Sequence, residues 1–195
     1  MRGRVMRLFV YVLVASACGA LGWNMAQEGG ALAAGFYRPL DARYSLLALA
    51  AMGLLASRVG AQGGLAALVG LAATVAAASA TPQGFRIPEL WLITVLCFLV
   101  LGVLGALSKG PGPYIGAIAV AAAGVAHGQL MTLEVSSAKD PMFLAGFALG
   151  VAAVIAIAMA VAEGAEHMAK GVGAKLAAGF AGVGAYLTLG HFNLL

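Results

Sequence analysis

Long apolar runs separated by short breaks recur along the chain, a pattern typical of a protein that crosses a membrane several times. A membrane-spanning helix needs roughly 20 apolar residues. The runs predict seven crossings: 8–23, 44–57, 64–80, 88–107, 114–133, 141–162 and 172–189. Gly-Pro-Gly-Pro at 110–113 and Asp140-Pro141 are strong helix breakers between them. We therefore predict an all-α integral membrane bundle of six or seven transmembrane helices with short loops.

The first run leaves two interpretations open. Three arginines precede it: Arg2, Arg4 and Arg7. A basic start, a short apolar run and small residues such as Ala15-Ser16-Ala17 also describe a secretory signal peptide. Residues 1–23 are therefore either a signal peptide or the first transmembrane helix, and residues 24–195 are predicted to form one polytopic transmembrane domain.

A shorter apolar stretch, 31–37, precedes the second crossing and is too short to span a membrane. It is predicted to be a re-entrant or interfacial piece. Arg38 and Asp41 follow it, and an Arg–Asp pair at a membrane interface favours a structural role. The alternative is that these two residues gate an access path.

Composition excludes several classes of function. The 195 residues are 63% hydrophobic and 9% charged, with a mean hydropathy of +1.00, whereas soluble domains are about 45–50% apolar and about 25% charged. A soluble enzyme and a disordered tail are therefore excluded. The net charge of +4 comes from scattered lysines and arginines that form no basic patch, so we predict no nucleic-acid partner. The chain carries no P-loop, dinucleotide or HExxH motif, and we predict that it is not an enzyme.

The composition implies that the lipid bilayer is a partner of this chain. The distribution of charge predicts the orientation of the chain in that bilayer. With the amino terminus inside, the predicted inner loops carry seven basic residues: Arg2, Arg4, Arg7, Arg58, Lys109, Lys170 and Lys175. The outer loops carry four: Arg38, Arg43, Arg86 and Lys139. This bias follows the positive-inside rule and favours an integral protein of the bacterial inner membrane.

His127 is the most informative candidate for chemistry. It lies well inside an apolar run, in Ala126-His127-Gly128, where a polar ring usually faces the interior of the bundle. Glu134 follows two helical turns later on the same face. One interpretation is a metal ligand or relay group, because imidazole suits transition metals. The other is a single hydrogen bond between helices.

A second polar cluster stands at the predicted inner end of the run 141–162. Glu163 and His167 are four residues apart, as are Glu166 and Lys170. Glu163 and His167 could serve as an inner exit site for a metal ion. The pattern favours a solvated helix end with ordinary ion pairs.

Four stretches stand in a familiar order along the chain. They are GGALAAGF with RPL at 29–40, LLALAAMGLLA at 46–56, AHG at 126–128 and AGVGAYL at 181–187. From about residue 29 to residue 190 the chain resembles the HupE/UreJ family of hydrogenase and urease accessory membrane proteins. The resemblance implies about six spans, a signal peptide and permease activity toward nickel or cobalt.

The family's motifs are only partly present. Where the family has His-Pro-x-x-Gly-x-Asp-His, this chain has Arg38-Pro39-Leu40-Asp41-Ala42-Arg43-Tyr44-Ser45, which keeps only the proline. Where a second motif has His-Gly-x-Ala-His-Gly-x-Glu, the aligned stretch 123–130 keeps one histidine, His127. Arg38 in place of a histidine brings a fixed positive charge that repels cations.

Two functions therefore stay open. The first is a divergent permease or metal-related accessory protein, with a divalent nickel or cobalt ion as cargo, no resident cofactor, and a metalloenzyme maturation system as partner. The second is a structural or assembly subunit of a larger membrane complex that no longer transports metal. The first makes the sharper prediction, because its path would pass His127.

Overall fold

The computed structural model describes residues 2–41, 43–82, 89–107, 110–132, 135 and 139–192. In these ranges the regular structure is helical, and a short 3₁₀ helix, Gly60–Gln62, joins α3 to α4. The α-helices are α1 (Arg2–Glu28), α2 (Gly30–Asp41), α3 (Arg43–Arg58), α4 (Gly63–Ala80), α5 (Leu90–Ala106), α6 (Pro113–Thr132), α7 (Pro141–Met168) and α8 (Val172–His191).

Most of these helices are long and apolar enough to cross a membrane. By length and composition, five qualify alone: Val5–Met25, Gly60–Ala80, Pro113–Met131, Pro141–Met168 and Val172–His191. Helices α2 and α3 qualify together as a bent pair, and α5 is a shorter apolar helix. The predicted all-α membrane bundle is confirmed for the part of the chain that the structure describes.

Helix α7 lies at the centre of the bundle. It packs against α1, α2 and α3, while α4 packs mainly against α6 and α5 packs mainly against α8. Phe143, Phe147 and Val151 of α7 are almost completely buried. Because lipid tails are as apolar as leucine, close packing between helices, rather than apolar burial alone, must hold such a bundle together.

Glycines allow α2 and α7 to approach until their backbones touch. A Cβ atom on Gly146 would overlap the carbonyl oxygen of Leu32, and one on Gly35 would overlap the carbonyl oxygen of Phe143. Small residues four positions apart, such as Gly146 and Gly150, are the usual means of such contact in membrane helices. Helix α2 is therefore fixed against the first half of α7.

Helices α2 and α3 meet at a bend of 79°. Pro39 stands in the last turn of α2, where it lacks the amide hydrogen that a continuing helix would use. The stretch 31–37, expected to be re-entrant or interfacial, lies within the 12-residue helix α2. With α3 it forms either one broken span or a re-entrant pair. Ala42, between the two helices, lies outside the described residues.

Two helices extend beyond the ends that the sequence predicts. Helix α1 continues past Trp23 to Glu28, and α7 continues past Ala162 to Met168. The prediction ended each span where polar residues begin. In α7 the first of these, Glu163, has an ion-pair partner within the bundle, so the helix continues through it.

Candidate functional site

His127 lies inside α6, directly before Gly128, the residue at which this helix meets α4. The backbones of the two helices are in contact, because a Cβ atom on Gly128 would overlap the carbonyl oxygen of Thr74. His127 itself has an exposed fraction of 0%. The glycine that follows it thus lets α4 close over this part of α6.

Neither ring nitrogen of His127 has a hydrogen-bond partner. Among the described residues, Nδ1 and Nε2 of this ring are the buried side-chain nitrogen or oxygen atoms left without one. Other buried polar groups are satisfied: Thr74 Oγ1 donates to the Gly70 carbonyl at 2.8 Å, and Thr94 Oγ1 donates to the Leu90 carbonyl at 2.9 Å. A buried polar group without a partner costs about 1–3 kcal/mol. The buried imidazole of His127 therefore lowers the stability of the folded protein.

The bend between α2 and α3 lies against the last turn of α6. Arg38 Nε, on α2, donates to the Met131 carbonyl at 3.0 Å. Ser45 Oγ, on α3, lies 3.2 Å from the Met131 sulfur. Met131 is four residues after His127 and therefore one turn further along the same face of α6. We call Arg38, Ser45, Met131 and His127 the break cluster.

Electrostatics explains the position of Arg38. The last carbonyls of a helix have no partner within the helix, and the end of the helix carries partial negative charge. A guanidinium that donates to one of these carbonyls satisfies it and neutralises the end of α6. The same guanidinium places a fixed positive charge at Met131, four residues along α6 from His127.

The structure separates some predicted residues and joins others. Arg38 and His127, which the sequence treated as different sites, are linked through Met131, which Arg38 contacts and which lies one turn after His127. Asp41 is exposed. Glu134, the predicted companion of His127, lies outside the described residues.

Sequence reasoning did not anticipate two members of the break cluster, Ser45 and Met131. Ser45 was noticed only as a substitution in a motif, and Met131 has no feature that distinguishes it from ordinary core methionine. Their shared contact joins residues 86 positions apart, which no local pattern reveals.

The expected solvated end with ordinary ion pairs is found only in part. Glu163 is 6% exposed, and its Oε1 lies 3.0 Å from Nε of Arg7 on α1. His167, one turn later, is exposed. The next carboxylate, Glu166, accepts hydrogen bonds from the Gly171 and Gly173 amides at 3.0 and 3.1 Å, and so caps the start of α8. The acidic end of α7 therefore fastens α1 and α8 to the bundle.

Within the described ranges, no group of three or more histidine, cysteine, aspartate and glutamate side chains is placed to hold a metal ion together. The nitrogens of His127 and the sulfur of Met131, one turn apart, are the donor atoms of the break cluster that suit a transition metal.

Comparison with known proteins gives one result at the level of family. The family model described as HupE / UreJ protein matches residues 10–187, nearly the whole chain. No curated protein and no solved structure matches. Together with the apolar helical bundle, the family match shows that this chain is an integral membrane protein that belongs to the HupE/UreJ family.

Proposed function

We propose that this protein is a divergent permease or accessory protein for a divalent transition metal, nickel or cobalt, and that His127 binds the ion as it passes. The observation that carries the proposal is the fully buried imidazole whose two nitrogens have no partner. The metal is cargo here, not a resident cofactor. The family supports a metal-related role, and the ion itself is our proposal.

A passing metal ion is the ligand that best fits the chemistry of the break cluster. A neutral imidazole offers one nitrogen lone pair, and imidazole suits nickel. The Met131 thioether, one turn away, is a softer donor than nickel prefers, so the imidazole is the ligand that the proposal requires. A bound ion would satisfy a nitrogen of His127 and offset part of the penalty of burying it.

The bend between α2 and α3 supports a transport path at this place. Membrane transporters commonly form their substrate sites where a helix is discontinuous near the middle of the bilayer. Irregular backbone inside a bilayer is tolerated only where it is covered by protein or lines a water-filled cavity. Here the bend contacts α6 through Arg38 and Ser45, one turn from His127.

Since His127 is 0% exposed, the structure corresponds to a closed state in this proposal. Passage of an ion then requires the contacts between the bend and Met131 to open. Asp41, which is exposed, is the carboxylate proposed for the entry to the path. Glu163 is paired with Arg7, so we assign no transport role to Glu163 and His167.

A second candidate function is a structural or assembly subunit of a larger membrane complex. The observation that favours it is Arg38, whose guanidinium is fixed at the Met131 carbonyl and repels a divalent cation that approaches this end of α6.

Nickel uptake into proteoliposomes distinguishes the two functions. We compare the unaltered protein with His127→Leu and with His167→Leu, a control at an exposed histidine. The permease proposal predicts uptake by the unaltered protein and the control, and uptake at the level of empty liposomes for His127→Leu. Equal uptake by all three proteins would remove His127 from the path. No uptake by any of them, with co-purification of another membrane protein in fixed proportion, would favour the subunit.

A further inference from the structure

A partly buried ion pair fastens the amino-terminal helix α1 to the centre of the bundle. Arg7 Nε lies 3.0 Å from Glu163 Oε1, and the side chains of these two residues are 28% and 6% exposed. An ionised carboxylate removed from water requires a partner of opposite charge. Loss of α1 would leave Glu163 inside α7 without Arg7.

Further contacts lie on both sides of the small residues where a signal peptidase would cut, Ala15-Ser16-Ala17. Before this point Tyr11 is 8% exposed, and after it Cys18 is also 8% exposed. Further on, a Cβ atom on Gly22 would overlap the ring of Phe36 in α2. Both halves of α1 are therefore packed against the bundle, and the helix is continuous from Arg2 to Glu28.

Helix α1 also forms one wall of an apolar groove of about 240 Å³, whose other walls are α4 and α7. Its lining includes Val10, Tyr11 and Val14 of α1, Leu68 of α4, and Ile155 and Met159 of α7. Arg7 is one turn before Tyr11, and Glu163 is one turn after Met159. The ion pair thus lies beyond one end of the groove, one turn from the residues of α1 and α7 that line it.

We propose that α1 is a signal-anchor helix that remains in the mature protein, held by the Arg7–Glu163 ion pair. The peptide bond after Ala17 stays intact. Residues 1–23 are then the first transmembrane helix and not a removed signal peptide.

The test is the intact mass and amino-terminal sequence of the full chain, extracted from bacterial membranes by a carboxyl-terminal tag. The matched control is Ala17→Leu, which replaces the small residue a signal peptidase needs at an exposed position of α1. We expect the two proteins to differ only by the mass of the substituted side chain. An unaltered protein that begins at Cys18, beside a longer Ala17→Leu variant, would overturn the proposal.

A second measurement tests the role of the ion pair. We compare thermal midpoints in mild detergent for Arg7→Gln, Glu163→Gln, the double variant, and the charge-reversed pair Arg7→Glu with Glu163→Arg. The proposal predicts that each single substitution lowers the thermal midpoint. The double variant should lower it by less than the sum of the two single decreases. The charge-reversed pair should recover at least half of the larger single decrease. Additive changes with no recovery would show that the pair does not hold α1.

Discussion

Replacing His127 by leucine is expected to make the protein more stable and less active. A neutral imidazole carries one donor and one acceptor, and both nitrogens of this ring are buried without a partner. Leucine fills a similar space and carries no polar group. The substitution removes the penalty of burying unsatisfied groups while keeping most of the packing around α6.

The penalty for one unsatisfied buried group is about 1–3 kcal/mol. A chain unfolded within a membrane or micelle also finds partners, which reduces differences of this kind toward about 0.6 kcal/mol per hydrogen bond. For the two ring nitrogens together, with each penalty reduced in this way, we expect His127→Leu to raise the free energy of unfolding by about 1–3 kcal/mol. For a chain of this size, each kcal/mol corresponds to roughly 2–4 °C in the thermal midpoint.

The assay is unfolding in mixed micelles of mild and denaturing detergent, with a chelator present so that bound metal does not add to stability. The control is Thr94→Val, because the Thr94 hydroxyl is buried and already bonded to the Leu90 carbonyl. We expect Thr94→Val to lower the free energy of unfolding by up to about 1 kcal/mol. If His127→Leu were less stable than the unaltered protein by more than the control, the nitrogens of His127 would have partners in solution and the reasoning would fail.

Three further predictions concern contacts elsewhere in the bundle. Gly146→Leu should lower the free energy of unfolding by more than about 3 kcal/mol, because a Cβ atom at this position would overlap the Leu32 carbonyl oxygen, and the yield of folded protein should fall severely. The control is Gly179→Leu, at a glycine with open space around it, which should leave the yield nearly unchanged. Glu166→Gln should lower the free energy of unfolding by about 1 kcal/mol, since it weakens the cap on the Gly171 and Gly173 amides; an unchanged value would show that the charge is not needed there. Arg38→Gln should lower the free energy of unfolding by about 1 kcal/mol, because it removes the charged partner of the Met131 carbonyl. The same substitution should strengthen nickel binding measured by calorimetry; weaker binding would show that Arg38 does not repel the cargo.

The helical bundle was predictable because apolar runs in a membrane have a single common outcome. A spanning segment must satisfy its own backbone hydrogen bonds, so each long apolar run becomes a helix. Helix ends were less predictable, as at α7, where Glu163 and Glu166 resemble a solvated end in the sequence. In the structure both carboxylates have partners within the protein, and the helix continues to Met168.

The break cluster was only partly predictable for a related reason. The depth of His127 in an apolar run favoured a buried imidazole, and the structure gives it an exposed fraction of 0%. Its neighbours could not be inferred, because Arg38 binds a backbone carbonyl 93 residues away and every residue has such a carbonyl. A tertiary contact with a backbone atom leaves no signature in the sequence.

The nickel content of the purified protein tests most directly whether His127 is a metal ligand. Bound nickel is measured by equilibrium dialysis against a fixed concentration of free nickel, followed by mass spectrometry of the metal, for the unaltered protein, His127→Leu and the exposed control His167→Leu. We predict about one nickel ion for each chain in the unaltered protein and in the control, and none in His127→Leu. Equal nickel in all three proteins, or none in any of them, would contradict the assignment of His127.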